Sequence, residues 1–439
     1  MKEIRPKRLK IAIFTDTYMP EVNGVAHSID RFSKLTADDG HKVMIFCPKH
    51  GRYRDKSYPR ITVKRYSSIT APTYRDIKIA LPFVLSVRND LKKFKPDLVH
   101  IQTPMGIGWM GIWATKLLKL KNVQTYHTYI PDFLVYLKPK TFLGLHLFVN
   151  YLNSSKIIKA FLETDVSDED KSSNKLKTSL SEKLDEVVRK AQADKTSRMT
   201  ERFARDLTRA VYNRADLVLT PSRILKRILK KNGVKSEVEV LSNGIEFKLF
   251  EKKSNYSIQN KLIHVGRLGH EKHLEVVIRA LKIALETNDR ITLDVIGEGP
   301  AKKPMQHLVK QLKLSNHVRF LGFKRKEDLV KLFCQYDAFV TASTIETQGI
   351  VILEAMAAGL PIIGVKKLAV PEIVKDKKNG YLSKPFNEEE MAKNILLLLS
   401  DERRLERFGK KSLSIAKSHE IVKCKEKLEN YYYRVASLK

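Results

Sequence analysis

Cysteine is scarce: Cys47, Cys334 and Cys424 are the only three in 439 residues. Three scattered thiols cannot build a disulfide framework or a zinc site with paired ligands, and they fit a reducing compartment. Long apolar runs are missing as well. No window holds the ~18 uncharged apolar residues of a membrane-spanning helix. The stretch Leu9–Phe14 is interrupted by Lys10 and soon meets Asp16, which is too short for the core of a secretion signal and reads as a first strand. The expectation is a cytoplasmic protein whose membrane contact, if any, is peripheral. Acidic side chains are the third shortage. Against 82 Lys and Arg stand 49 Asp and Glu, a net charge of +33. That excess implies an anionic partner: nucleic acid, acidic lipid or a phosphorylated small molecule.

Apolar material is ample, at 43% hydrophobic residues, which excludes a wholly disordered chain, and the length suits two or three domains. Short apolar runs alternate with amphipathic stretches. Strands are expected at Lys10–Phe14, Lys42–Phe46, Ile61–Tyr66, Leu98–Ile101, Val123–Tyr126, Leu217–Thr220 and Val238–Leu241. A second series follows at Leu262–Val265, Thr292–Ile296, Val318–Leu321, Ala338–Thr341, Pro361–Gly364 and Gly380–Leu382. Most lack clean alternation, as strands covered on both faces do. Between them Glu271–Leu285 places Leu274, Val277, Ile278, Leu281 and Leu285 at helical spacing. Repeated strand–helix units imply doubly wound α/β architecture. The polar segment Ser242–Lys261 divides the two series. Residues 1–250 carry 47 basic and 26 acidic side chains, a net +21, against +12 for 251–439. A locally acidic stretch, Thr164–Ser173, reads as an exposed insertion, and Leu180–Tyr212 reads as a long amphipathic helix.

Four segments carry chemistry. Gly24, in TDTYMPEVNGVAHSI, sits in the first strand-to-helix turn, where free N–H groups can face an anion; an ordinary turn has the same composition. In GRLGHEKHLEVV, Arg267 and Lys272 lie just after a strand, at the edge where open α/β sheets bind ligands. Two cations there can hold both phosphates of a nucleotide diphosphate and stabilise it as a leaving group, although surface cations are common in so basic a chain. In ASTIETQGIVILEAMAAGLPII, Glu346 and Glu354 bracket Gly349. Glu354 is expected to open an apolar helix, stabilised by its macrodipole and able to accept two vicinal hydroxyls; an acid that only stabilises its helix fits equally well. The N–H groups of Gly349, Ile350 and Val351 would face a phosphate or sugar. Finally, His127 in TYHTYIPDF follows a strand, either packed or functional.

Together these segments resemble retaining glycosyltransferases of family 4. Glu346 and Glu354 match that family's Glu-x7-Glu motif. Gly266, Arg267, Leu268, Glu271 and Lys272 match its G-R-L…E-K segment, and His127 matches a strand-end histidine. Ser242–Ile245 (SNGI), Ala215–Ser222 (ADLVLTPS) and Ile296–Pro300 (IGEGP), with Gly297 in the last, are also typical. The resemblance covers nearly the whole chain in order. It implies the GT-B fold: two Rossmann-like domains with a cleft between them and a C-terminal helix that crosses back. Residues 1–241 would bind the acceptor, 242–420 the sugar nucleotide, and 421–439 would return to the first domain. It further implies that Arg267 and Lys272 neutralise the departing diphosphate, that Glu354 binds the ribose, and that Glu346 with the amides after Gly349 orients the donor sugar. His127 would meet the sugar near the reacting carbon. No D-x-D metal site is evident, so no metal or other cofactor is expected beyond the donor, a UDP-sugar first of all. Within the family, TDTYMPEVNGVAHSI and TYHTYIPDF are most similar to diacylglycerol glucosyltransferases and phosphatidylinositol mannosyltransferases. The polar stretch 164–195 departs from that pattern.

The resemblance implies a lipid acceptor, and two features agree. Phe133–Phe161 mixes Leu, Phe and Tyr with Lys138, Lys140, Lys156 and Lys159, and Arg223–Lys235 is strongly basic. Apolar area with positive charge suits peripheral docking on an anionic membrane at the inner face of the cell membrane. Two helices packed on the domain would have similar composition. A soluble or polyprenyl-linked glycan is the alternative acceptor. A non-enzymatic nucleic-acid binder is the rival class, but zinc spacing, an RNP sequence and aromatic residues interleaved with basic ones are all missing.

Overall fold

The computed structural model describes residues 8–21, 23–71, 74–80, 84–127 and 197–437; the stretches Phe133–Phe161 and 164–195 lie outside the described residues. The first half supplies β1 (Lys10–Phe14), β2 (Lys42–Pro48), β3 (Ile61–Tyr66), β4 (Ser68–Ala71), β5 (Tyr74–Ala80), β6 (Leu98–Ile101), β7 (Asn122–Thr125), β8 (Leu217–Thr220) and β9 (Val238–Val240). Its helices are α1 (Gly24–Asp38), α2 (Val84–Phe94), α3 (Gly106–Leu118), α4 (Ser197–Tyr212) and α5 (Arg223–Lys231). Seven strands form one parallel sheet in the order β3-β2-β1-β6-β7-β8-β9. The four residues after Lys10 in β1, and all of β6 and β7, are buried. Helices cover both faces, so these strands need no polar side, and continuous Ile, Val and Leu runs result.

The second half contributes β10 (Lys261–Val265), α6 (Leu274–Leu285), β11 (Thr292–Ile296), α7 (Lys302–Gln311), β12 (Val318–Gly322), α8 (Lys326–Leu332), β13 (Ala338–Val340) and α9 (Ile350–Ala357). It continues with β14 (Ile362–Val365), α10 (Val370–Ile373), β15 (Gly380–Ser383), α11 (Glu388–Leu398), α12 (Glu402–Lys417) and α13 (Ile421–Ala436). Its sheet runs β12-β11-β10-β13-β14-β15, again parallel throughout. The helical periodicity before β11 emerges as α6, with Leu274, Val277, Ile278 and Leu281 buried and Leu285 packed at the core's margin. All thirteen strands expected from the sequence occur. The antiparallel pair β4–β5 was not anticipated, because SSITAPTYRDIKIA mixes polar, proline and apolar residues without a buried-strand run. Of the long helix expected over Leu180–Tyr212, the described part is α4.

Two linkers join the domains, and they pair: Ile245 donates its N–H to His419 O at 2.8 Å, and Ile421 donates to Ile245 O at 2.9 Å. From that hinge α13 runs back over the first sheet. Its Ile421, Cys424, Leu428, Tyr432 and Val435 join a core with Ile11, Ile13, Ile29 and Leu98. Full burial of each such aliphatic side chain stabilises by about 1.5–3 kcal/mol, which holds the crossover in place. The domains also touch directly. Arg31 on α1 pairs with Glu246 at 3.4 Å. Glu372 on α10 accepts the N–H of Arg223 at 2.8 Å, and that of Ile224, at the start of α5.

Candidate active site

In each sheet the strand order reverses once, between β1 and β6 in the first and between β10 and β13 in the second. Open α/β sheets bind ligands outside the carboxyl ends of strands at that switch point. The carboxyl edges of the two sheets meet. Gly24, the first residue of α1, lies so close to the second domain that a Cβ on it would stand 3.0 Å from Ile350 Cδ1.

The loop after β10 holds Gly266, Arg267 and Lys272; the loop after β13 holds Glu346. The two loops flank the second switch point, and they are bonded: Lys272 Nζ donates to Glu346 Oε1 at 2.6 Å. Burial opposes charge on Glu346, but the adjacent Lys272 ammonium outweighs it and holds the carboxyl below its ordinary range. Arg267 is exposed at the same loop, its guanidinium pulled down by partial burial and partly restored by Glu271. Both cations therefore already face carboxylates.

Backbone geometry shapes this edge. Gly266 donates its N–H to Ile296 O and Leu268 to Glu298 O, so the Gly266–Lys272 loop lies directly on the loop after β11. Gly297 in that second loop has φ of 137°, and a Cβ there would come within 1.9 Å of Gly266 O; no side chain fits. Gly349 precedes α9 with φ of 81°. The first N–H groups of α9, including those of Ile350 and Val351, have no acceptor within the helix, because no turn precedes them.

Glu354 corrects an expectation. The helix begins at Ile350, so Glu354 sits in its second turn and the first turn carries no acid. The macrodipole acts within the first turn and does not stabilise it. Burial instead raises its carboxyl, opposed by Arg31 of the first domain and by Lys326. At Gly24 the N-cap Asn23 accepts the N–H of Ala26 at 2.8 Å, which occupies one of the N–H groups at the start of α1.

His127 lies just past β7, buried, with Nε2 at 2.7 Å from Gln102 Oε1. Burial alone pulls the ring down to about 4, so it is neutral. It shares the first sheet's carboxyl edge with Asp16. Asp16 accepts the N–H groups of Ile107 at 2.6 Å and Met105 at 2.8 Å and the Thr103 hydroxyl at 2.8 Å. It thereby ties the β1 loop to the start of α3 across the first switch point. Burial raises its carboxyl to about 6 despite those donors.

Two doubly wound domains with cationic and acidic loops converging on the second switch point agree with what family models find. The model described as "Glycosyltransferase Family 4" matches residues 22–160, and "Glycosyl transferases group 1" matches residues 246–414. The chain belongs to glycosyltransferase family 4. This glycosyltransferase is 26% identical over 405 residues to the alpha-monoglucosyldiacylglycerol synthase of Streptococcus pneumoniae, covering 88% of this chain and 78% of that one. It is 25% identical over 393 residues to the enzyme of the same name from Acholeplasma laidlawii, covering 88% and 87%. Among solved structures, Anabaena HepE in complex with UDP and glucose superposes with a TM-score of 0.68 at 18% identity, over 97% of this chain and 100% of that one. Sucrose-phosphate synthase from Thermosynechococcus elongatus gives 0.68 at 18%, over 98% and 99%. These likenesses give the fold, GT-B.

Several neighbours of the glycosyltransferase site left no trace in sequence reasoning: Asp16, Gln102, Arg31, Lys326 and Gln348. Gln348 sits between the motif acids. It accepts the N–H of Asn243 at 2.9 Å and donates to Ser242 Oγ at 2.5 Å, so it ties the Glu346 loop to the hinge. Each meets partners far away in the chain, and no spacing rule marks such residues.

Proposed function

We propose that this glycosyltransferase moves a hexose, with retention of anomeric configuration and without a metal, from a nucleotide-diphosphate sugar to a membrane lipid. UDP-glucose is the donor and diacylglycerol the acceptor in this reading. The observation that carries it is the Lys272–Glu346 contact beside Arg267 at the second switch point. The printed activity of the Streptococcus and Acholeplasma relatives supports the lipid acceptor, and the UDP and glucose in the HepE structure support the donor class.

In the proposed mechanism Arg267 and Lys272 neutralise the departing diphosphate, work that a metal does in other transferases. Glu346, released from Lys272, and the amides following Gly349 orient the donor sugar. Glu354 accepts the ribose hydroxyls. His127, neutral, accepts a hydrogen bond from the sugar near the reacting carbon. The acceptor hydroxyl attacks the anomeric carbon from the face the diphosphate leaves; the bond from that carbon to the diphosphate oxygen breaks, and the hydroxyl proton passes to the departing diphosphate oxygen.

The lipid reaches the site from a membrane docked at the first domain. Among the described residues no helix is long and apolar enough to cross a membrane. Helix α5 buries Leu225 and Leu229 and exposes Arg223, Arg227, Lys230 and Lys231, a face suited to the anionic lipid of the cytoplasmic leaflet. The test is incubation with UDP-glucose, UDP-galactose, UDP-N-acetylglucosamine and GDP-mannose over vesicles containing diacylglycerol. Radiolabel transferred to lipid from one UDP-sugar supports the reading. Transfer only to added soluble or polyprenyl-linked glycan, or no turnover of any donor, overturns it.

A further inference from the structure

What His127 offers a donor sugar is decided behind it. Its Nε2 lies 2.7 Å from Gln102 Oε1, while its Nδ1 is buried and has no hydrogen-bond partner among the described residues. Gln102 follows β6 and is 6% exposed. Its amide nitrogen lies 3.2 Å from Nδ1 of His100. His100, 1% exposed on β6, has that same Nδ1 at 2.6 Å from the Tyr432 hydroxyl and its Nε2 at 2.7 Å from Thr125 Oγ1. A single chain of contacts thus runs from the crossover helix α13 through His100 and Gln102 to His127.

The chain has a direction. A primary amide donates at nitrogen and accepts at oxygen. With its nitrogen on His100, the Gln102 amide leaves its oxygen for His127, and an oxygen of that kind only accepts. In that orientation His127 carries its hydrogen on Nε2. The far end fits that orientation: His100 Nδ1 accepts from the Tyr432 hydroxyl at 2.6 Å and shares its lone pair with the longer 3.2 Å contact from Gln102, and His100 Nε2–H donates to Thr125. Burial keeps both rings neutral. A neutral imidazole has one N–H, so Nδ1 of His127 is a bare acceptor, buried and unsatisfied until a hydroxyl meets it.

We propose that Gln102 is a positioning residue of the transferase site: it locks His127 as the Nε2–H tautomer and so presents Nδ1 as the acceptor for a hydroxyl of the donor sugar, while His100 and Tyr432 fix which way the Gln102 amide points. This rests on the transferase reading. A side chain that fills space beside His127 would leave the tautomer free; the proposal makes the tautomer the function.

The test uses the full chain labelled with 15N-histidine, and long-range 1H–15N correlation identifies the protonated nitrogen of His127, assigned by its loss in His127→Ala. The wild type is expected to show Nε2–H alone. Gln102→Leu is expected to show mixed tautomers and a 10- to 100-fold lower kcat, with UDP affinity within twofold of wild type. Tyr432→Phe removes only a hydroxyl and guards against a Gln102→Leu chain that does not fold; it is expected to mix the tautomers and lower kcat 3- to 10-fold. An Nδ1–H ring in the wild type overturns the proposal. So does a folded Gln102→Leu or Tyr432→Phe that keeps both the Nε2–H form and the wild-type kcat. If the wild type turns over no sugar nucleotide, the transferase reading fails while the tautomer measurement still judges Gln102.

Discussion

Lys272 and Glu346 come from loops 74 residues apart and meet at 2.6 Å across a topological switch point. In the proposed reaction each does separate work, one on the diphosphate and one on the sugar. Lys272→Ala and Glu346→Ala are each expected to lower kcat by two orders of magnitude or more in a donor-hydrolysis or transfer assay, in a chain that still unfolds cooperatively; Lys272→Ala, which leaves the Glu346 carboxylate without its cation, is expected to lower the thermal midpoint as well. Glu354 behaves differently. Burial raises its carboxyl, so ionisation costs more in the folded chain than in the unfolded one. Its contribution to stability therefore falls as pH rises through the raised value and recovers as pH drops back. Without nucleotide, Glu354→Gln is expected to unfold at the same temperature as wild type or a higher one at pH 7.5, with the difference shrinking toward pH 4. The same variant is expected to bind UDP at least tenfold more weakly by calorimetry. Such a trade between stability and binding is common at functional sites.

At the scale of elements, Gly349 sets where α9 begins. A side chain at φ of 81° costs about 1–2 kcal/mol, and its Cβ would stand 2.9 Å from Ile352 Cδ1. Gly349→Ala is expected to lose at least that much stability by chemical denaturation and to shift the α9 amides. Helix α5 makes a separate claim. Reversing Arg227, Lys230 and Lys231 to Glu is expected to weaken binding to anionic vesicles by about 1 kcal/mol or more per residue, leaving binding to neutral vesicles unchanged, as read by sedimentation. The elements were also where the sequence was most readable. Strands buried on both faces, such as Leu98–Ile101 and Leu217–Thr220, announce themselves as short apolar runs, and all of them occur. The β4–β5 pair has no such run. The start of α9 was misjudged because Glu-x7-Glu spacing fixes two residues without saying where the turn between them ends. The motif loops were legible because their residues are close in sequence. Arg31, Gln102 and Gln348 were not, since their partners lie in other elements and only the fold brings them together.

At the scale of the molecule, the hinge is wired to the loop of Glu346 and Gln348. Gln348 bonds both Asn243 and Ser242 of the first linker, and His419 of the second linker reaches the same Ser242 hydroxyl at 2.9 Å. Arg31–Glu246 and Glu372 at the start of α5 hold the domains together on either side. Gln348→Ala is expected to raise the donor KM severalfold and lower kcat together, as loss of a hinge contact does, which steady-state kinetics would report. The account as a whole depends on Arg267 and Lys272 holding a diphosphate at the meeting of two sheets. Isothermal titration of UDP against wild type and the Arg267→Ala, Lys272→Ala double variant measures this directly. A loss of 100-fold or more in affinity, about 2.7 kcal/mol, in a chain that still unfolds cooperatively is the predicted result; equal affinity in the two proteins would contradict it.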